Sequence, residues 1–357
     1  MSWIAISGPE QSWVCPKTFD SPDTRRDRFL TRGSILLETR LSPEGRPQTL
    51  LSYDRRHPWP ASLSLQAIPG GSIVLVMSQG EDVFHTLLDY PTDARTDVMR
   101  LTFSWDTRAR WGRLTLERPE SDAQTVRDTP PPPPLMLEDI YTLTQRPQLR
   151  QVDDDVLYFA VSTRIEPVGP MPSLTASVPI ATPQGFRALD RLKTGDTVIT
   201  RDNGVVPVLH TVHRVVPALG AFRPVRLRAP YFGLRRDIVV APHQRLVIGG
   251  SEVEYIFGRE AVLVPAVSLV NGLAAMHEDG HLTVRYSQVL LPGHEALMTA
   301  DAGIESLYVG RLRRNKDRLE ASLLRDCPRN LLPEHHRAGY QVLRPFEAII
   351  LAEARAA

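Results

Sequence analysis

Along the first third of the chain, apolar and polar residues alternate with a period of two. The runs are SILLETRL from Ser34, ASLSLQAI from Ala61, SIVLVMS from Ser72, VFHTLLDY from Val83, MRLTFSWD from Met99 and GRLTLERP from Gly112. Side chains on a strand point alternately to its two faces, so each run predicts a half-buried antiparallel strand. Gly, Pro and Asp punctuate the runs, and this many strands within about 90 residues predict a sandwich of two sheets.

The alternation stops at TPPPPP, Thr129–Pro134. Each proline ring fixes φ and removes an N–H donor, which predicts an extended, stiff spacer. The expected division is a sandwich over 1–128, a proline-rich linker and strap over 129–165, and a second domain over 166–357. In that second domain VPIATPQGFRALDRLKTGDTVITRDNG holds two β runs, Val178–Thr182 and Asp196–Arg201, joined by the connector ALDRLKTGD and closed by the turn signal Asp202-Asn203-Gly204. The 31 prolines interrupt helical patterns throughout. The expected fold class is all-β: a jelly-roll-like sandwich plus a second β domain.

Composition adds limits. Apolar residues make up 42% and charged residues 23%, the values of an ordinary soluble protein. A formal net charge of +1 gives no bulk attraction to nucleic acid, and the basic stretch VGRLRRNKDR at 309–318 reads as a solvated connector. Cys15 and Cys327 lie far apart and show no metal spacing. The N-terminal MSWIAISGPEQSW lacks the charged and apolar regions of a cleavable signal peptide, and no apolar run reaches the roughly 20 residues of a membrane span. The expectation is a soluble protein, cytoplasmic or exported by a leaderless route. No Walker loop, GxGxxG, GxSxG or HExxH occurs, so no nucleotide, metal or other cofactor is expected. His210 and His213 sit three apart on a β run and face opposite sides, while His335 and His336 read as solvated loop residues.

Two family resemblances follow from the residues. Over about residues 30–118 the strand order, including the LTFSWD and WGRLTLE pair, resembles the concanavalin A-like or laminin-G-like sandwich. That resemblance implies a glycan-binding class in which calcium is often held by carboxylates. Asp82, Asp89, Asp93 and Asp97 are placed where such ligands could stand but are read as turn residues, with no calcium site expected.

The second half resembles the Hedgehog/intein (Hint) domain, in its bacterial stand-alone branch. The resemblance rests on IATPQG at Ile180–Gly185 and L-x-x-G-D-x-V-x-T-R-D at Leu192–Asp202. PVRLRAPYFG, DIVVAPHQRLVI, VLVPAVSLVNG, VRYSQVLLPGHEAL and VLRPFEA then follow in order. It implies a horseshoe-like β fold that cuts or rearranges its own backbone. A nucleophile at the first residue of the domain attacks the preceding carbonyl, and a Thr-x-x-His pair polarises that peptide and protonates the departing nitrogen.

Carried over residue by residue, the resemblance puts the nucleophile at Ser173, a serine where the family has cysteine. The family's S/T-P-x-H-R reads A-P-H-Q-R, so Ala241 replaces the hydroxyl residue, Gln244 replaces the histidine, and His243 stands one place early. On a strand, one place turns a side chain to the opposite face. Further on, Gln288 replaces a histidine while His294 and Glu295 remain. The candidate catalytic residues are thus Ser173, His243 and His294, with degenerate positions at Ala241, Gln244 and Gln288. The leading reading is a Hint-domain protein with a degenerate autoprocessing site, acting as a binding or structural module for a protein partner or surface glycan. The alternatives are self-cleavage in which Ser173 attacks the Pro172 carbonyl through an N-to-O acyl shift, and a structural component of a larger particle or surface assembly. Oligomeric state is left open.

Overall fold

The computed structural model describes the chain except residues 1, 21–25, 42–45, 92–96, 121–122, 337–338 and 357. The expected Asp93 lies outside the described residues. The chain divides into two units, Met1–Val168 and Gly169–Ala357, each built mainly of antiparallel sheets. The all-β expectation holds. The described helices are short: α1 Pro16–Phe19, α2 Leu137–Gln145, α3 Ser251–Phe257, α4 Lys316–Ala321 and α5 Pro345–Ala356. No described helix is long and apolar enough to cross a membrane.

The first unit is a sandwich. Its five-stranded sheet runs Arg150–Val152, Gln48–Arg55, Ala61–Ile68, Ser72–Gln79 and Asp82–Asp89 in spatial order. Alternation gives it one buried face, carrying Leu63, Leu65, Leu75 and Met77. These pack on Ile35, Leu37, Leu101, Phe103 and Leu114 of a seven-stranded sheet, forming one continuous core. The second face of that larger sheet is also buried although it is polar. There Nε of Arg100 donates to Oε1 of Glu38 at 2.8 Å, and both are nearly inaccessible. A charge pair taken out of water is tolerated only when each partner neutralises the other.

The expected linker over 129–165 is corrected by the structure. Pro130–Pro134 form the longest stretch of 129–165 without helix or strand, and Pro132 packs against Gly112, where a Cβ would meet its ring at 3.0 Å. The chain then re-enters the sandwich. Leu135–Met136 pair with Phe29–Leu30, α2 buries Ile140 and Leu143, and Asp139 caps α2 by accepting from the Met136 N–H while gripping Arg55. Val156–Ser162 finally inserts between Arg32–Arg40 and Trp3–Ser7 in the seven-stranded sheet. The apolar run LYFAV at 157–161 needs a core, and that demand outweighs the stiffness of five prolines.

The second unit joins a six-stranded sheet to a larger one around a second core. Asp202-Asn203-Gly204 closes the hairpin Thr197–Thr200/Gly204–Pro207 as expected, with Gly204 at φ 65°, a conformation that glycine adopts without a Cβ penalty. Two crossings between the sheets position the candidate site. Leu174–Thr175 starts in the six-stranded sheet and the chain continues into the larger one at Pro179–Thr182. Ile238–Val240 likewise gives way to Arg245–Gly249.

All five tryptophans, Trp3, Trp13, Trp59, Trp105 and Trp111, lie in the first unit, so tryptophan fluorescence reports its unfolding alone. If Val156–Ser162 is a core strand, Phe159→Ala lowers the denaturant stability read by fluorescence by about 3–5 kcal/mol. A loosely attached strap would give a loss below about 0.5 kcal/mol, the usual range for surface substitutions.

Candidate functional site

Ser173 lies where the chain enters the six-stranded sheet, one residue before Leu174 pairs with Val240 and Ser287. Its carbonyl accepts from the Ala241 N–H at 2.6 Å, which fastens it to the far crossing. That crossing is a tight turn, Ala241-Pro242-His243-Gln244, with the Gln244 N–H donating to the Ala241 carbonyl at 3.0 Å.

The turn changes the reasoning about His243. Residues 241–244 do not continue a strand, so strand alternation does not decide where these side chains go. The turn places Gln244 at its inner end, buried beside Ser173, while His243 occupies its half-buried crest. The position of Gln244 next to Ser173 thus comes from the turn, not from strand alternation.

Around the hydroxyl the structure brings together Ser173, Gln244 and Gln288, all buried. Ser173 Oγ donates to Gln244 Oε1 at 2.5 Å, and Gln288 Nε2 lies 3.2 Å from both Ser173 Oγ and Gln244 Oε1. The amide orientations are fixed by what lies behind them. Gln244 Nε2 donates to the carbonyls of Arg245 at 2.9 Å and Glu305 at 3.2 Å, and Gln288 Nε2 also reaches the Glu305 carbonyl at 3.1 Å. Both amino groups face acceptors, so Gln244 must present its oxygen to Ser173.

Glu305 had no motif to announce it, and the strand Ala302–Glu305 that it ends is buried at every position, so no alternation marks it either. Its backbone carbonyl holds the two amides, and its carboxylate turns the other way, to Arg245 Nη1 at 3.0 Å and His294 Nε2 at 2.9 Å. Burial works to raise the Glu305 carboxyl, but the His294 hydrogen bond and the Arg245 guanidinium outweigh it and hold the group below the ordinary carboxylate range. His294 is engaged on both nitrogens: Nδ1 accepts from the Gly339 N–H at 3.2 Å, and Nε2 lies 2.9 Å from the Glu305 carboxylate. It faces the carboxylate of Glu305, not Ser173. Glu295 turns away as well, its Oε2 accepting from Asn203 Nδ2 at 2.7 Å.

Other expectations divide. His210 and His213 do stand on one strand, paired opposite Leu290 and Ser287. His335, expected in solvent, is buried: its Nδ1 accepts from the Val309 N–H at 3.3 Å and its Nε2 meets the Leu291 carbonyl at 3.2 Å. A loop composition hid it, because the partners are backbone groups far along the chain. His336 is exposed as expected. Within the basic stretch at 309–318, Arg313 and Arg314 are engaged by Glu334. No group of three or more His, Cys, Asp or Glu among the described residues is placed to hold a metal ion.

In chemical terms, the Ser173 proton points at an amide oxygen that cannot accept it at neutral pH, and a hydroxyl lone pair meets a donor from Gln288. The Ser173 hydroxyl is paired on both its donor and acceptor sides, which resembles a buried structural serine more than an activated nucleophile.

The family profile of the Hint domain matches residues 172–311, a span that begins at the residue before Ser173 and includes Gln244, Gln288 and Glu305. No curated protein matches the chain. Among solved structures, the AceL NrdHF class 3 split intein is 9% identical, with 39% of this chain and 99% of that one covered and a TM-score of 0.28. The CBM40 of the Ruminococcus gnavus IT-sialidase, bound to alpha2,3 sialyllactose, is 12% identical over 37% of this chain and 76% of that chain, with a TM-score of 0.28. The LG1-3 region of the laminin alpha2 chain is 9% identical, covers 87% of this chain and 56% of that one, and has a TM-score of 0.26.

The geometry has a consequence for acid. Burial, first, and the nearby His294 hold the His335 imidazole down to about 4 from 6.5. The unfolded chain therefore binds more protons than the folded one between those values, and stability rises with pH across that window. Calorimetric unfolding of the second unit is expected to gain about 2–3 kcal/mol from pH 4 to 6.5. His335→Gln, which keeps an acceptor for Val309, flattens that rise. Glu305 acts in the same direction but lower, its contribution being lost only as pH falls through its depressed value. A second unit whose stability is level from pH 4 to 6.5 contradicts the buried assignment.

Proposed function

We propose, from the premise that residues 172–311 of this chain are a Hint domain, that the domain no longer cuts its backbone and serves as a rigid module for binding or assembly. The observation that carries this reading is the bond from Ser173 Oγ to Gln244 Oε1. For an N-to-O acyl shift, Ser173 Oγ must lose its proton and form a bond to the Pro172 carbonyl carbon. The bond from that carbon to the Ser173 nitrogen must then break as the nitrogen gains a proton. The first transfer needs a base and the second an acid. An amide at Gln244 and another at Gln288 supply neither, and the methyl of Ala241 offers no hydroxyl to polarise the peptide.

His294 is committed to Glu305 and Gly339. Its carboxylate partner leaves it outside the Ser173 network. Scaffold features survive around this site: the two crossings, the Asp202-Asn203-Gly204 hairpin and the continuous core. A fold kept while its proton-handling groups are replaced by neutral amides is the pattern expected when shape is what is used.

Intact mass spectrometry of the full chain incubated with hydroxylamine, which intercepts esters, tests this reading. A single species of 40.0 kDa is the expected result. Two fragments meeting at Pro172 and Ser173, absent from Ser173→Ala, would sink it and make this an active autoprocessing protein.

A further inference from the structure

We infer that two copies of this chain associate through the outer face of α5, packed antiparallel about a two-fold axis. This names a partner for the assembly role proposed above and rests on that reading only for its purpose, since no residue of the Ser173 network takes part.

α5 is apolar on two sides. Ala348 and Leu351 face inward and belong to the second core. At about 100° per residue, Phe346, Ile349, Ile350 and Glu353 fall together on the opposite side. There Phe346 is 56% exposed, Ile349 57% and Ile350 46%. The stripe does not stand alone. α3 packs against α5 and presents Tyr255, 92% exposed, and the single turn Ala266–Leu269 beside α5 presents Val267. Large apolar residues exposed singly need no explanation, whereas a helix stripe with exposed apolar residues on neighbouring elements marks an interface.

The charges select the occupant. Arg344 precedes α5 at its N-terminal end and Glu353 lies on the stripe near its C-terminal end, both exposed and, among the described residues, neither side chain with a partner. Glu347 is already used, its carboxylate accepting from the Arg344 N–H at 2.7 Å. An antiparallel two-fold that sets Ile349 of one copy against Ile350 of the other brings Glu353 of each to the helix end where Arg344 of the other stands. The carboxylate also meets the positive end of the opposing helix dipole. An isologous contact requires this self-complementarity: an acid and a base at opposite ends, with apolar residues between. The helix is only about 18 Å long, and a stable interface buries at least about 1,000 Å² in total. Tyr255 and Val267, exposed on elements that pack against α5, are the residues that would extend such a contact.

Sedimentation velocity of the full chain, from low to high micromolar, reads the assembly directly. The expected result is a concentration-dependent dimer. Ile349→Glu gives a monomer with unchanged circular dichroism, because the side chain it replaces lies outside the core. Arg344→Glu weakens the dimer by roughly tenfold or more through like-charge contact with Glu353, and Arg344→Glu combined with Glu353→Arg restores it. Misfolding cannot produce that restoration. A monomer at every concentration overturns the inference and leaves the face to a different protein. A dimer indifferent to Ile349→Glu, or one that the charge swap fails to restore, overturns it as well.

Discussion

Two amide groups, Gln244 and Gln288, hang on one backbone carbonyl, that of Glu305. The orientation of everything around Ser173 follows from this attachment. With its amino group facing Glu305 and Arg245, Gln244 can offer only oxygen to the serine. Glu305 is itself fixed because Arg245 and His294 hold its carboxylate from the other side. The Gln244 amide is satisfied at both ends, whereas turned the other way it would oppose donor to donor and lose about 1–3 kcal/mol per unpaired group; Gln288 is held through its amino group, its Oε1 being buried without a hydrogen bond. The network is therefore self-consistent in a single arrangement, and that arrangement makes Ser173 a donor.

The same carbonyl sits where two sheets meet. Ser173 and the turn 241–244 lie at the two crossings, Gln288 comes from the strand Thr283–Leu290, and Glu305 ends a strand of the larger sheet. Four segments distant in sequence are brought to one point by β pairing alone. Histidines at Gln244 and Gln288 would face the serine from the same backbone, so the step from chemistry to structure needs few changes and no refolding.

Much of this was legible along the chain, and the failures have specific causes. Period-two alternation located the strands of the sandwich because one face of its smaller sheet is wet, as at Ala61–Ile68. Asp202-Asn203-Gly204 announced its hairpin through local turn chemistry. The segment 129–165 was misjudged because polyproline is a strong local signal, while the pairing of Val156–Ser162 with Trp3–Ser7 and Arg32–Arg40 is a long-range fact. His335 was misjudged for the same reason, its partners being backbone groups of Leu291 and Val309. At the site, the positions Ser173, Gln244 and Gln288 could be picked out by family resemblance, but their mutual bonds and the role of Glu305 depend on a carbonyl that no side-chain motif records. His243 shows the limit of periodicity, since a tight turn replaces the strand on which the alternation argument stood.

The central claim is that missing proton transfer, and not the weakness of serine as a nucleophile, keeps the backbone whole. Ser173→Cys separates the two, because a thiol ionises far more readily than a hydroxyl. The measurement is the intact mass of Ser173→Cys and of Ser173→Cys with Gln244→His, each incubated with dithiothreitol. The account predicts that the single variant stays whole and the double variant releases a fragment ending at Pro172. Release from the single variant at the rate of the double would contradict it.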